Sequence, residues 1–510
     1  TSCDDNLIYG SMPKANTTAF GNDGDYKICV RLSDAAGNAA VFGESGTIRL
    51  KTTNPVFGTN SLINDASDGF INLNERSQPN ILISDATGSF YDNAGYRLVS
   101  SATDCTGVGA YAGKPTNLST DFSGDGTYKV CVQLTDLAGN TPAWGASEIF
   151  RLKTQLPQFG SLSLAGSASD LYVNAAERLT ATALVDDAVG TGFDTAAYQL
   201  VTTAITCDQF LTYGSIPLAN ALAGASDGAY KICTKLTDSA GNPAAFGASS
   251  SFQLKASLPE FSSLSLAQDA SDGFINIADR NRNLAVVAAA TGSQFDTASY
   301  AVVPASNACN ASVSYGPLPT ASDAALTTDG SYKVCAKLSD LAGNPPAFGA
   351  SPDFSLKLTI PGLISLQLAG DAIDGYINFA ETFHTTVIAD TLIALYFDAA
   401  AYSVVPAATS CTGVLTYGTM PRSDALASAS DGIYKICVEL SDIAGNPPTY
   451  SAGPSFVVKQ TAPGFSAVAL ANAASDGFIN AQERLLSEVL TGGVTGTSYD
   501  LVDYRPVSYT

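Results

Sequence analysis

Ten cysteines fix the frame of this chain. They stand as five pairs, Cys3 and Cys29, Cys105 and Cys131, Cys207 and Cys233, Cys309 and Cys335, Cys411 and Cys437, with a step of 26 residues inside each pair and 102 from one pair to the next. Tyr26, Tyr128, Tyr230, Tyr332 and Tyr434 keep the same period, as do Pro55, Pro157, Pro259, Pro361 and Pro463, so the 510 residues hold five periods without an insertion. A fixed period marks a tandem array, and this one is too long for a solenoid unit but suits an independent domain. Each proline follows a recurring lysine (Lys51, Lys153, Lys255, Lys357, Lys459) that ends an alternating stretch. Proline lacks a ladder donor and restricts the residue before it, which makes this segment a short extended linker. The boundaries that follow are a C-terminal half repeat over 1–54, whole repeats over 55–156, 157–258, 259–360 and 361–462, and an N-terminal half repeat over 463–510. Such a chain reads as a window on a longer array.

Within a repeat the clearest strand runs from Tyr332 to Leu338, with Tyr332, Val334, Ala336 and Leu338 on one face and Lys333, Cys335 and Lys337 on the other. Period two with one polar face is the pattern of a half-buried antiparallel strand. Asp340-Leu341-Ala342-Gly343-Asn344 then supplies a tight connection, because Gly and Asn accept positive φ and Asp accepts backbone donors. Phe354 to Lys357 closes the unit. Ser263–Ala267, Leu284–Ala289 and Ser299–Val303 are further strand candidates, and no amphipathic helix stands out. About seven short strands per repeat predict an all-β fold, a β-sandwich with Greek-key connections.

Hydrophobic residues make up 45% of the chain, enough for every repeat to build a core. Forty-seven acidic residues against 25 basic ones leave a net charge of −22 with no basic cluster, which excludes nucleic acid and anionic membrane as partners. No run approaches the roughly 18 apolar residues of a membrane span, so no membrane insertion is expected in this segment.

The run Asp-Gly-x-Tyr-Lys-x-Cys-x-x-Leu-x-Asp-x-Ala-Gly-Asn (Asp329 to Asn344), paired with Ser67-Asp68-Gly69-Phe70-Ile71-Asn72 through Glu75 and Arg76, resembles the bacterial Ig-like tandem repeats of giant cell-surface adhesins or fibres. The resemblance touches every repeat. It implies immunoglobulin-like sandwiches, an extracellular, cell-surface location, hinges stiffened by calcium, and a stalk that projects a distal adhesive domain. The Asp-Gly-x-Tyr segment also resembles the tyrosine corner of Ig sandwiches. Tyr332 precedes Cys335 by three residues, however, where antibody domains use two. Tyrosine and cysteine then point to opposite faces, and the disulfide is expected outside the core.

An even cysteine count at one spacing reads as one disulfide per repeat, formed in an oxidising compartment. On the chain-entropy model each such loop stabilises its repeat by about 3–4 kcal/mol. The alternatives are a thiol activated by Lys333 and Lys337, and bridges between repeats or fibrils. A single histidine and the absence of Cys-x-x-Cys leave no zinc cluster.

The candidate calcium ligands are Asp68, Asn72 and Glu75, with their counterparts Asp170, Asn174 and Glu177; Asp272, Asn276 and Asp279; Asp374, Asn378 and Glu381; Asp476, Asn480 and Glu483. Laid on a calcium-loop pattern, the segment keeps the third Asp, the Gly, the Ile and the final Glu. Asn64 and Ala66 fill the first two ligand positions, Leu171 replaces the Gly in one repeat and Asp279 the Glu in another, so an EF-type helical site is not expected. These oxygens lie beside a linker, where the Asp-x-Ala-Gly-Asn loop of a neighbouring repeat can join them. The competing reading is an Asp-Gly turn whose side chains bind their own backbone.

An aromatic follows each such loop: Phe42, Trp144, Phe246, Phe348 and Tyr450. Burial at a sandwich end or against the next repeat is favoured over exposed stacking on sugars, because the type varies while the register does not. Asn16, Asn117 and Asn310 stand in glycosylation sequons that do not recur at one register. His384 has no counterpart in other repeats, so no repeated catalytic device exists and the chain reads as no enzyme. The expected role is structural, the shaft of an extracellular bacterial surface fibre or giant adhesin. Its partners would be neighbouring repeats of the same longer chain, other copies in a fibre, and a host or neighbour-cell surface. A glycan- or cell-binding module and a self-assembling sheath or filament subunit are the alternatives.

Overall fold

The computed structural model describes residues 1–508; Tyr509 and Thr510, at the end of the 463–510 segment, lie outside the described residues. Two compact units are present, Thr1–Ser257 and Leu258–Thr510.

Residues 55–156 show the plan of a repeat. Its strands are β1 (Val56–Phe57), β2 (Phe70–Ile71), β3 (Gly88–Ser89), β4 (Asn93–Ser100), β5 (Gly126–Thr135), β6 (Ala143–Ala146) and β7 (Phe150–Leu152). Tyr128, Val130, Val132 and Leu134 of β5 all enter the core, as the two-residue alternation requires. On one edge β5 pairs with β4 from Asn93 opposite Thr135 to Ser100 opposite Tyr128. On the other edge it pairs first with β6 and then with β7, both antiparallel. The break between them falls at Ser147, whose Oγ accepts from Val130 N at 2.9 Å while its own N–H donates to Val130 O. β2 joins β7 in parallel.

The facing sheet is thinner. β1 pairs with β3, and the isolated bridges Leu62–Ile83 and Ile81–Thr116 extend it. In the 259–360 stretch, Ser299–Val303 lies inside the regular strand Thr297–Pro304, whereas Ser263–Ala267 and Leu284–Ala289 contribute mainly the bridges Leu266–Val287 and Ala285–Thr320. The ladder stops because the chain enters a one-turn 3-10 helix at Gln268–Ala270, with Gln268 at φ 48°.

Four hydrophobic clusters fill the described chain, with members between Phe57 and Leu152, Phe159 and Ala256, Phe261 and Leu358, and Leu363 and Val458. Phe150, Phe252, Phe354 and Phe456 are their largest fully buried side chains. Burying one such ring stabilises by about 1.5–3 kcal/mol. The sheets are tied across the core by Tyr96, whose Oη accepts from Ala86 N at 3.0 Å; Tyr198 and Tyr300 do the same for Ala188 and Ala290. Phe57 packs flat on Gly145, where a Cβ would come within 2.2 Å of its ring.

The tyrosine corner is present: Tyr128, Tyr230, Tyr332 and Tyr434 donate their hydroxyls to the backbone oxygens of Gly124, Ser226, Thr328 and Ser430. All five disulfides form within their pairs, and among the described residues no cysteine is free. Cys131, Cys233, Cys335 and Cys437 are fully buried but belong to none of the hydrophobic clusters. They sit on the outer face of the long strand, covered by the connection that carries the partner cysteine and that bridges back at Tyr96–Ala112. Tyrosine and cysteine thus point to opposite faces, as their spacing requires, and a loop absent from the sequence reading covers the disulfide.

Candidate functional site at the repeat junctions

The recurring Ser-Asp-Gly-Phe-Ile-Asn segment builds a turn and a capped helical stub. Asp68 Oδ1 accepts from Phe70 N at 2.9 Å, and Gly69 takes φ 87°. Asn72 then caps α1 (Leu73–Arg76): its Oδ1 accepts from Glu75 N at 3.0 Å and Glu75 Oε2 accepts from Asn72 N at 2.9 Å, a complete capping box. Asn276 and Asp279 repeat it. Asp170, Asp272, Asp374 and Asp476 make the same turn bond, and Glu177, Glu381 and Glu483 receive the N–H of Asn174, Asn378 and Asn480. Desolvation raises the pKa of Glu75 above the usual range.

Two donors of this cap are left facing outward, and they meet the next repeat. Asn72 Nδ2 donates to Ala240 O at 3.0 Å, and Leu73 N donates to Asn242 Oδ1 at 2.8 Å. In the second unit Asn276 Nδ2 donates to Ala444 O at 2.6 Å and Ile277 N to Asn446 Oδ1 at 3.1 Å. The Asp-x-Ala-Gly-Asn loop that receives them is braced by its own hydrogen bonds. Asp238 accepts from Asn242 N and Nδ2 at 3.0 and 2.7 Å, and Asn242 is only 6% exposed.

The recurring lysine completes the joint. Its carbonyl accepts from the loop asparagine, Lys153 from Asn242 Nδ2 and Lys357 from Asn446 Nδ2, both at 2.8 Å. Its ammonium pairs with an aspartate of the following repeat: Lys51 with Asp92, Lys153 with Asp194, Lys357 with Asp398 and Lys459 with Asp500. The same Asp194 oxygen accepts from Ser239 N at 2.8 Å and Ser239 Oγ at 2.6 Å. Lys153 beside Asp194 holds that carboxyl well below the usual range, helped by Ser239.

The linker after the lysine is pinned as well. Asp125 accepts from Thr154 N, Thr154 Oγ1 and Gln155 N at 2.6–2.9 Å, and Asp23, Asp227, Asp329 and Asp431 hold their linkers likewise. The Thr52 hydroxyl and N–H, with Thr53 N–H, lower Asp23 to about 2. These linker aspartates, and the lysine-paired Asp92, Asp194, Asp398 and Asp500, were not singled out from sequence. The signal of the lysine-paired aspartates was present in the constant step of 41 residues from each of these lysines to its partner.

Calcium, which the adhesin resemblance implies, can be tested against these oxygens. Each aspartate of the Asp-Gly turns and each carboxylate of the caps already accepts a backbone N–H, and among the described residues no three His, Cys, Asp or Glu side chains gather as a metal cage. As arranged, they do not fit the six to eight oxygens calcium takes.

The five loop aromatics are half-buried, and neither end of the sandwich holds them. They lie on the outer sheet face, Trp144 opposite Gln133. Phe42, Phe246, Phe348 and Tyr450 pack on Tyr9, Tyr213, Tyr315 and Tyr417 with ring centroids 5.5–5.9 Å apart. Asn117 is fully buried, donating to Asp65 and to Glu75 O, while Asn16 and Asn310 are exposed. His384 Nδ1 lies 3.2 Å from Asp371.

Strand order, tyrosine corner and a core shared by two facing sheets make each whole repeat an immunoglobulin-like β-sandwich. The chain is a tandem repeat array of these sandwiches. No protein-family model and no curated protein matches it. Among solved structures it is similar to a Ca2+-stabilized adhesin that helps an Antarctic bacterium reach out and bind ice, with 17% identity over 79% of this chain and 99% of that one and a TM-score of 0.28. It is similar to a 1.5-MDa bacterial ice-binding adhesin (19% identity, 60% and 99% covered, TM-score 0.27) and to protocadherin gammaB7 EC3-6 (14%, 80% and 100%, TM-score 0.26). At these values the fold assignment rests on the strand order and cores, not on the likenesses.

Proposed function

We propose that the chain is a length of shaft from an extracellular bacterial surface fibre or giant adhesin, divided into repeats at 55, 157, 259, 361 and 463. The observation that supports it most is the joint between repeats, where a pinned linker, a capped turn and a lysine pair hold one sandwich on the next with the same contacts at Lys153 and Lys357. A binding module with free hinges has no use for such joints. A disulfide in every whole repeat, with one cysteine of each fully buried, suits an oxidising, extracellular setting. Aromatics packed on tyrosines do not support a sugar-stacking groove, and a His384 that recurs in no other repeat does not support catalysis. On this reading the partners are neighbouring repeats, other copies in a fibre and, beyond the shaft, a host or neighbour-cell surface. Any bound calcium would have to open the turns and caps, which calorimetric titration would register. Negative-stain electron microscopy of the chain tests the shaft: stiff rods of about 30–35 Å per repeat are expected. Chains bent at random between repeats would overturn it.

A further inference from the structure

We infer that the joints within each unit carry their own cation: the lysine ammonium does the work of a divalent ion, and the coupling of these repeats needs no calcium. An acidic array that stacks repeat on repeat places carboxylates at its joints, here Asp194, bonded to Ser239, and Asp238, bonded to Asn242, on the loop that meets the cap of the preceding repeat. A cation at the joint offsets this negative charge. Lys153 is placed for this by the fold. It follows β7 directly, its carbonyl is fixed by Asn242, and its side chain is only 15% exposed as it reaches Asp194. Screening by water is correspondingly reduced, and the bond is charge-assisted. Lys357 repeats the arrangement with Asn446 and Asp398, and Lys51 with Asn140 and Asp92.

Each carboxylate and carbonyl a metal would recruit there already accepts a hydrogen bond through at least one oxygen. Asp194 Oδ2 holds Lys153, Ser239 N and Ser239 Oγ; both Asp238 oxygens hold Asn242; Glu75 holds its cap; the Ala240 and Lys153 carbonyls hold Asn72 and Asn242. A calcium ion would have to expel the ammonium and break these bonds. The inference stands apart from the shaft reading, since a binding array could be coupled the same way.

Hydrogen exchange read by mass spectrometry on the full chain tests it, in EDTA and in excess calcium, for the wild type and for Lys153→Met, Lys357→Met and Lys153→Arg. Wild-type protection over residues 72–76 and 238–242 should be the same in both buffers. Lys153→Met should lose roughly tenfold of it there while residues 126–135 stay protected, and Lys153→Arg should keep most of it. Lys357→Met should do the same over 276–280 and 442–446. Wild-type protection that falls in EDTA and returns with calcium would overturn the inference, as would methionine variants that exchange like the wild type.

Discussion

The side-chain amide of Asn242 lies 2.8 Å from the carbonyl oxygen of Lys153, 89 residues earlier, and its own oxygen receives the Leu73 N–H. One buried side chain thus binds the last strand and the capped turn of one repeat while Asp238 holds it in place in the next. Replacing it with alanine leaves the Lys153 carbonyl and Leu73 N–H without partners. Asn242→Ala should therefore destabilise the joint by about 1–3 kcal/mol. Faster exchange at Leu73, with the β5 amides unchanged, is the expected reading; unchanged exchange would show that water replaces the bonds at no cost.

Leu171 carries a strain that its counterparts avoid. It sits at φ 74°, where Gly69, Gly273, Gly375 and Gly477 take φ 86–88°. A left-handed backbone costs a branched side chain about 1–2 kcal/mol, and Leu171 is half exposed, so little packing offsets it. Leu171→Gly should raise the melting temperature of its repeat by a few degrees, equivalent to about 1 kcal/mol. Differential scanning calorimetry would show it, and a lower melting temperature would mean that leucine packing outweighs the strain.

What the sequence made legible follows from how local each cause is. The long strand was readable because Tyr332, Val334, Ala336 and Leu338 alternate with Lys333, Cys335 and Lys337, and the same parity placed the cysteine off the core. The capping box at Asn72 and Glu75 was visible as a pattern but stood open between a turn and a metal ligand set, since both use the same oxygens at the same spacing. The Lys153–Asp194 pair was out of reach of local reasoning: its partners belong to different repeats, and only the fixed period links them. The second sheet was overcalled as continuous strands because alternation does not report a positive φ such as that of Gln268.

Phe57 and Gly145 should behave as one unit. A Cβ at Gly145, Gly247 or Gly349 would press into the ring of Phe57, Phe159 or Phe261. In the 361–462 stretch the corresponding positions are Ser451 and Leu363, a smaller apolar residue against a larger small one. Gly145→Ser alone should destabilise its repeat by about 1–3 kcal/mol through overpacking. Adding Phe57→Leu should recover part of that loss, giving a coupling energy of about 1 kcal/mol in a double-mutant cycle followed by urea unfolding. Additive effects would show that the ring moves aside freely.

Acid should loosen the joints before it unfolds the cores. Lys51, Lys153 and Lys357 hold the carboxyls of Asp92, Asp194 and Asp398 below the ordinary range, with the Leu137, Ser239 and Ile443 N–H groups adding to the effect. A carboxyl depressed in the folded state contributes stability that is complete above its unfolded pKa of about 3.9 and is lost as pH falls through the folded value. Protonating the aspartate is what ends the pairing. Protection at residues 72–76 and 238–242 should be flat from pH 7 to about 5 and fall below about 4, after correction for intrinsic exchange. Lys153→Met removes the depressing charge from Asp194, so its acid dependence between 238 and 242 should be shallower than that of the wild type. Parallel curves for the two proteins would mean that the Lys153–Asp194 pair does not set the acid limit of this joint.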